Sequence, residues 1–265
     1  MAKKKVDEES NVPAVVKPAA VPALEAVDLE GDAGQGFENV HSEDLAIPFI
    51  VILQSGSPQL KRGEQKVDGA TEGDIFNTVT GAFFSGLEGI FVVPCTYKKS
   101  YVEWTPRDQG GGFVRQHDDS EIMDSAVKDA TGKDILPNGN VIVPTAYHYV
   151  LLCDPITGDY SECVISMTST QLKKSRKWNS IMAGLKMTRK DGTKFTPAMF
   201  SHMYRLTTDP EQNELGAWSG WKIELYSQVP TIDIYNAAKK FANDINKGVI
   251  KAATPPQSGS EPEVF

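Results

Sequence analysis

Residues 171–179 read QLKKSRKWN, four cations around one tryptophan. The run continues through KMTRKDGTKF, residues 186–195, with no acid between Gln171 and Thr188. From Ser169 to Thr208 the chain carries nine bases, Lys173, Lys174, Arg176, Lys177, Lys186, Arg189, Lys190, Lys194 and Arg205, against one acid, Asp191. The chemistry open to such a set is anion binding. A solvated helix face usually mixes signs to gain i,i+4 pairs, whereas an acid-free run repels itself unless an anion neutralises it. A second stretch, TYKKSYVEWTPR at 96–107, alternates cations with rings. On a strand, Tyr97, Lys99 and Tyr101 share one side, and Lys98 and Trp104 share the other. Rings beside cations suit base stacking with phosphate neutralisation; a half-buried strand with its rings in the core is the structural alternative.

The formal net charge of −8 hides this segregation. Residues 20–90 hold 12 acids against 3 bases, so acidic and basic regions are separate along the chain. A local field acts over roughly 8–10 Å at physiological salt, so the local count decides what a surface attracts. Duplex-reading modules are missing: there is no helix-turn-helix or zinc-finger pattern, and no RNP1 or GXXG signature for RNA. Single-stranded DNA fits the composition best, with little sequence preference.

Catalytic signals are weak throughout. There is no GxxxxGK[ST] and no GxGxxG after a strand. The triple glycine at 110–112 sits in a polar loop. His41, His117, His148 and His202 fall in four separate segments, none with metal-ligand spacing. The acidic stretch DDSEIMD at 118–124 lacks the glycine and spacing of a calcium loop. The expectation is a binding protein, not an enzyme, with no cofactor and no metal. Three cysteines without CxxC spacing suggest a reducing compartment. No signal-like or membrane-spanning apolar run occurs, so the cytoplasm, the host cell's if the chain proves phage-encoded, is the expected location.

These residues need a scaffold, and the pattern predicts a β-rich α+β one. AYHYVLLCD (146–154) and YSECVISM (160–167) flank PITGD, a hairpin with Gly158 in its turn. MFSHMYRLTT (199–208) and AWSGWKIELYS (217–227) form a second hairpin, joined by a polar DPEQNEL loop. A helix is expected from about Thr170 to Met187, capped by Ser169 or Thr170, with Leu172, Trp178, Ile181, Met182 and Leu185 inward. That stripe favours Trp178 as an anchor over a stacking ring. A closing helix follows Thr231, stopping at Gly248. Residues 107–144 read as a long loop insertion. Strands, helix, strands, helix is compatible with an OB-like five-stranded barrel with extra hairpins, spanning residues 44–250. Residues 1–43 and 251–265, rich in Pro, Ala, Ser, Gly and acids, read as flexible arms.

The last eight residues are SGSEPEVF. This resembles the tails of bacterial and phage single-stranded DNA-binding proteins, in which acids precede a terminal phenylalanine. The middle, notably PFIVILQSGSP, GDIFNTVTG and VVPCTYKKSYVEW, is similar to proteins of tailed bacteriophages described as single-stranded DNA-binding, over roughly residues 44–230. The resemblance implies a role in phage DNA replication, recombination or repair. Glu261, Glu263, Val264 and Phe265 would recruit replication and recombination proteins and compete with DNA for its groove. The alternative is a non-enzymatic phage structural or host-takeover protein whose basic patch binds an acidic protein or the packaged genome.

Overall fold

The computed structural model describes residues 28, 30–40, 44–214 and 216–250. Residues 30–39 form successive turns, one closed by Gly31 N donating to Asp28 Oδ1. Residues 41–265 make up a separate unit. The tail residues Glu261, Glu263, Val264 and Phe265 lie outside the described residues.

The second unit begins with three short strands, β1 (Ile50–Ile52), β2 (Ile75–Asn77) and β3 (Phe83–Phe84), paired in that order. Two long strands then form its spine, β4 (Ile90–Thr105) and β8 (Val141–Cys153), antiparallel from Phe91↔Cys153 to Trp104↔Val141. Both carry long apolar runs because each faces packed layers on two sides. Between them come β5 (Gly112–His117), β6 (Val127–Lys128) and β7 (Asp134–Ile135). After them come β9 (Tyr160–Thr168), helix α1 (Leu172–Gly184), the small hairpin β10 (Met187–Thr188) and β11 (Lys194–Phe195), then β12 (His202–Asn213), β13 (Gly216–Gln228) and helix α2 (Ile232–Asn246).

The main sheet runs β13-β12-β4-β8-β7-β6, with β5 added to β4 and β9 to β8. Its path curls into a half-barrel, and the described strands show no closed five-stranded barrel of the OB-like kind expected. Among the described residues the fold is β-rich with two α-helices. One face packs α2 through Ile234, Ala238, Phe241 and Ile245 against Tyr147, Tyr149 and Leu151. The other packs α1 through Trp178 and Met182 against Val150, Ile165, Met167 and Tyr204.

The expected 107–144 insertion is not a long loop. It folds back as β5 on β4 and as the β6–β7 hairpin on β8. A buried carboxylate ties it down. Glu103, 1% exposed, accepts from Asn138 and Asn140 at Oε1 (2.9 and 2.6 Å) and meets Arg115 Nε and His117 Nε2 at Oε2 (3.0 and 2.8 Å). Burial alone would raise its pKa. The bonds from Asn140, Asn138, His117 and Arg115 outweigh burial and lower it from 4.5 to about 2.

The 209–215 stretch also departs from expectation: β12 and β13 run on through most of it as a two-stranded ribbon, paired to Asn213↔Gly216. Beyond Leu206 this ribbon has left its β4 neighbour, so it needs no apolar alternation to stay paired. The outer edge of β13 is guarded. The Gln54 side chain donates to Ser219 O and accepts from Ser219 N, both at 2.9 Å, and Gln171 Oε1 accepts from Trp221 N. A bulge opposite Met203/Tyr204 and an exposed Lys222–Glu224 pair occupy the rest.

Cys95, Cys153 and Cys163 are buried and free; burial pushes Cys153 up to about 12 and Cys163 up to about 11.

Glu103 sits below its unfolded value, so its stabilisation is full above about pH 4.5 and is lost as pH falls toward 2. Glu103→Gln is expected to cost about 3 kcal/mol at pH 7 and progressively less below pH 4, measured by urea unfolding across pH.

Candidate nucleic-acid interface

Helix α1 is oriented by its inner face. Trp178 is 0% exposed, stacks on the His148 ring at 4.5 Å between centroids and 24° between planes, and meets Tyr204 edge-on at 5.6 Å. One turn earlier, Ser175 Oγ shares a 2.8 Å hydrogen bond with His148 Nε2. Burial alone brings the His148 imidazole down to about 3, so the ring is neutral in the folded protein. With Ser175, Trp178 and Met182 facing in, helical spacing turns Lys173, Arg176 and Lys177 to solvent, and all three are exposed.

The helix is shorter than expected. A 3-10 turn, Ser169–Gln171, precedes it, and its N-cap position is Gln171, which makes no side-chain cap bond. It stops at Gly184, and Leu185 is extended. The chain then enters β10 and β11, which the Asp191-Gly192 turn reverses with Gly192 at φ +84°. Asp191 Oδ1 accepts from Thr193 N and Thr193 Oγ1 at 2.9 and 2.7 Å, so the one acid of the segment holds the turn. Arg189 lies 4.8 Å from the Phe195 ring centroid, and Lys186 Nζ donates to Thr196 Oγ1 at 2.6 Å. Lys186, Arg189, Lys190 and Lys194 are all exposed.

The nine bases of the segment therefore divide. Lys174 pairs with Glu211 of β12. Arg205 directs Nε and Nη2 onto Glu88 O at 2.9 and 2.7 Å. The other seven are exposed and make no salt bridge among the described residues. They come from one helix and the hairpin that follows it.

The β4 set is distributed differently. Strand register puts Tyr97, Lys99 and Tyr101 beside His148, Ala146 and Pro144, on the face that carries α1. Lys98 pairs with Tyr147 on the opposite face and donates from Nζ to Ile245 O of α2 at 3.1 Å. Lys99 sits 5.1 Å from the Tyr101 ring centroid, in an open recess shared with Asp118, Asp119 and Ser120. Two carboxylates beside one lysine make that recess a poor phosphate site. Tyr101 and Trp104 are 7% and 6% exposed, and Trp104 packs edge-on against Phe113. Neither ring presents an open face, because the strand buries both sides. The basic helix and hairpin form one contiguous stretch of chain, to which Lys98 and Trp104 do not add.

The model of the Pam3 phage gp34-like protein family matches residues 16–251. The chain belongs to this family. No curated protein and no solved structure matches it. The description of the Pam3 phage gp34-like family carries a bacteriophage context and names no activity. In this member, no group of His, Cys, Asp and Glu among the described residues is placed to hold a metal ion. No described helix is long and apolar enough to cross a membrane.

The partners of two residues beside this helix gave no sequence signal. Glu211 sits 37 positions from its lysine, and the polar spacing of the DPEQNEL stretch reads as a loop. His148 reads as a structural histidine, but its partners Ser175 and Trp178 emerge only when α1 docks.

Trp178→Ala is expected to cost about 3–5 kcal/mol of stability, read by denaturant unfolding. His148 is neutral when folded, so as pH drops from 6.5 toward 3 the unfolded state gains the proton and stability falls. His148→Gln, which can keep a bond to Ser175, is expected to remove the component of acid sensitivity that begins near pH 6.5 in thermal melts across pH.

Proposed function

We propose that this phage protein binds single-stranded DNA with little sequence preference, as a non-catalytic component of phage DNA replication, recombination or repair. The observation that carries the reading is the set of seven exposed cations, Lys173, Arg176, Lys177, Lys186, Arg189, Lys190 and Lys194, on a chain of net charge −8. No carboxylate pairs with them among the described residues, and Asp191 is occupied by its own turn. Such a surface gains free energy by releasing counterions from a phosphate backbone. The reading requires no closed OB barrel, because a helix and a hairpin supply the charge. The tail residues Glu261, Glu263, Val264 and Phe265 would recruit other replication and recombination proteins.

Binding would track the backbone more than the bases. Trp104, Trp178 and Trp221 are at most 6% exposed, Trp218 is half-buried with its N–H on Glu211, and Phe195 is half-buried beside Arg189. Little stacking free energy is therefore available, against the ~1–3 kcal/mol per base typical of aromatic platforms. The same burial favours a second reading, a phage structural or host-takeover protein whose patch meets duplex DNA or an acidic protein.

Anisotropy titrations with labelled oligo-dT, duplex DNA and heparin at several salt concentrations separate these readings. The expected result is preference for oligo-dT, with log affinity falling against log salt by about 0.7 for each phosphate contacted. Lys173→Glu combined with Arg176→Glu and Lys177→Glu should abolish binding without unfolding the protein, since all three side chains are exposed. Unchanged oligo-dT binding by the triple variant would overturn the proposed site; equal affinity for all three ligands would favour the second reading.

A further inference from the structure

Lys174 is the one cation of α1 turned away from its neighbours. Its ammonium pairs with Glu211 Oε1 on the β12–β13 ribbon, with side chains 18% and 24% exposed. The second carboxylate oxygen, Oε2, accepts the Trp218 indole N–H at 2.9 Å. The ribbon backbone passes directly beneath. A Cβ built on Gly220 would stand 2.6 Å from Lys174 Nζ and 2.8 Å from Glu211 Cδ, so a side chain at that position would crowd the pair. Lys173 and Lys177 flank Lys174 on the same helix and bring it no counter-charge.

We infer that Glu211 is a built-in phosphate mimic, which holds Lys174 out of the cationic face until a polyanion displaces it. This inference rests on the proposed nucleic-acid face and adds its regulation. Two features make the pair exchangeable. Each side chain keeps about a fifth of its surface in solvent, so an incoming phosphate oxygen can reach the ammonium as the carboxylate leaves. Glu211 also keeps the Trp218 N–H when Lys174 departs, so its carboxylate is not stranded without a donor. A charge removed from the ribbon should therefore appear as a charge gained by the binding face.

Glu211→Gln tests this in oligo-dT titrations over a salt series, beside Lys174→Gln, the double variant and Glu214→Gln. Glu214 is an exposed acid of the same ribbon, and its substitution changes net charge equally without touching Lys174. Glu211→Gln is expected to tighten binding severalfold and steepen the log–log salt slope by about 0.7, one phosphate more. The double variant should lose that gain, and Glu214→Gln should not reproduce it. If Glu211→Gln leaves affinity and slope at wild-type values, or if Glu214→Gln matches its gain, the mimic is refuted. Loss of binding in the Lys173, Arg176 and Lys177 reversal would show in that case that the face itself stands. If that reversal is silent, the face falls instead. Thermal melts of each variant separate a lost tie between ribbon and helix from a changed binding face.

Discussion

The stack of Trp178 on His148 joins a helix dense in cations to a sheet of apolar side chains. A helix carrying Lys173, Lys174, Arg176 and Lys177 has almost no internal electrostatic reason to form. Like charges three and four apart repel, and cations in the first turn oppose the positive end of the helix dipole. No side-chain cap and no first-turn acid offsets this. What remains is burial of the inner face, where one indole removed from water is worth more than the repulsion costs. The imidazole beneath must stay neutral for the layer to hold, and its burial keeps it so. Every outward cation of α1 takes its direction from that inward contact.

Around this anchor the molecule divides its electrostatics by location. Two carboxylates have specific structural tasks, Glu103 clamping the outer strands and Glu211 facing α1. The exposed bases of α1 and the β10–β11 hairpin have no such partner among the described residues. A net charge of −8 therefore coexists with a strongly positive strip, because exposed charges more than a Debye length apart hardly feel one another.

Elements fixed by local chemistry were legible in the sequence. Gly158 in its turn, Thr231 accepting from Ile234 N, and the Asp191-Gly192 reversal all stand where nearby residues place them. The inward position of Trp178 was legible too, because helical spacing set it beside an apolar stripe. Contacts between distant segments were not. Glu103 meets Asn138 and Asn140 across 35 and 37 residues, and without that carboxylate the 107–144 segment reads as a loop. An OB-type barrel and an open sheet share the same order of strands and helices, so periodicity could not separate them. For the β4 rings the sequence left stacking and core burial both open, and the structure buries Tyr101 and Trp104 because a strand covered on both faces buries odd and even positions alike.

The closed edge of β13 bears on how copies of the chain live side by side. A long outer strand is ordinarily a template on which a second molecule can continue the sheet. Here a glutamine side chain occupies the place of the next strand at Ser219, and a bulge spoils the register beyond it. A second copy meeting this edge would find side chains where its own backbone would have to pair, at Ser219 and at Trp221.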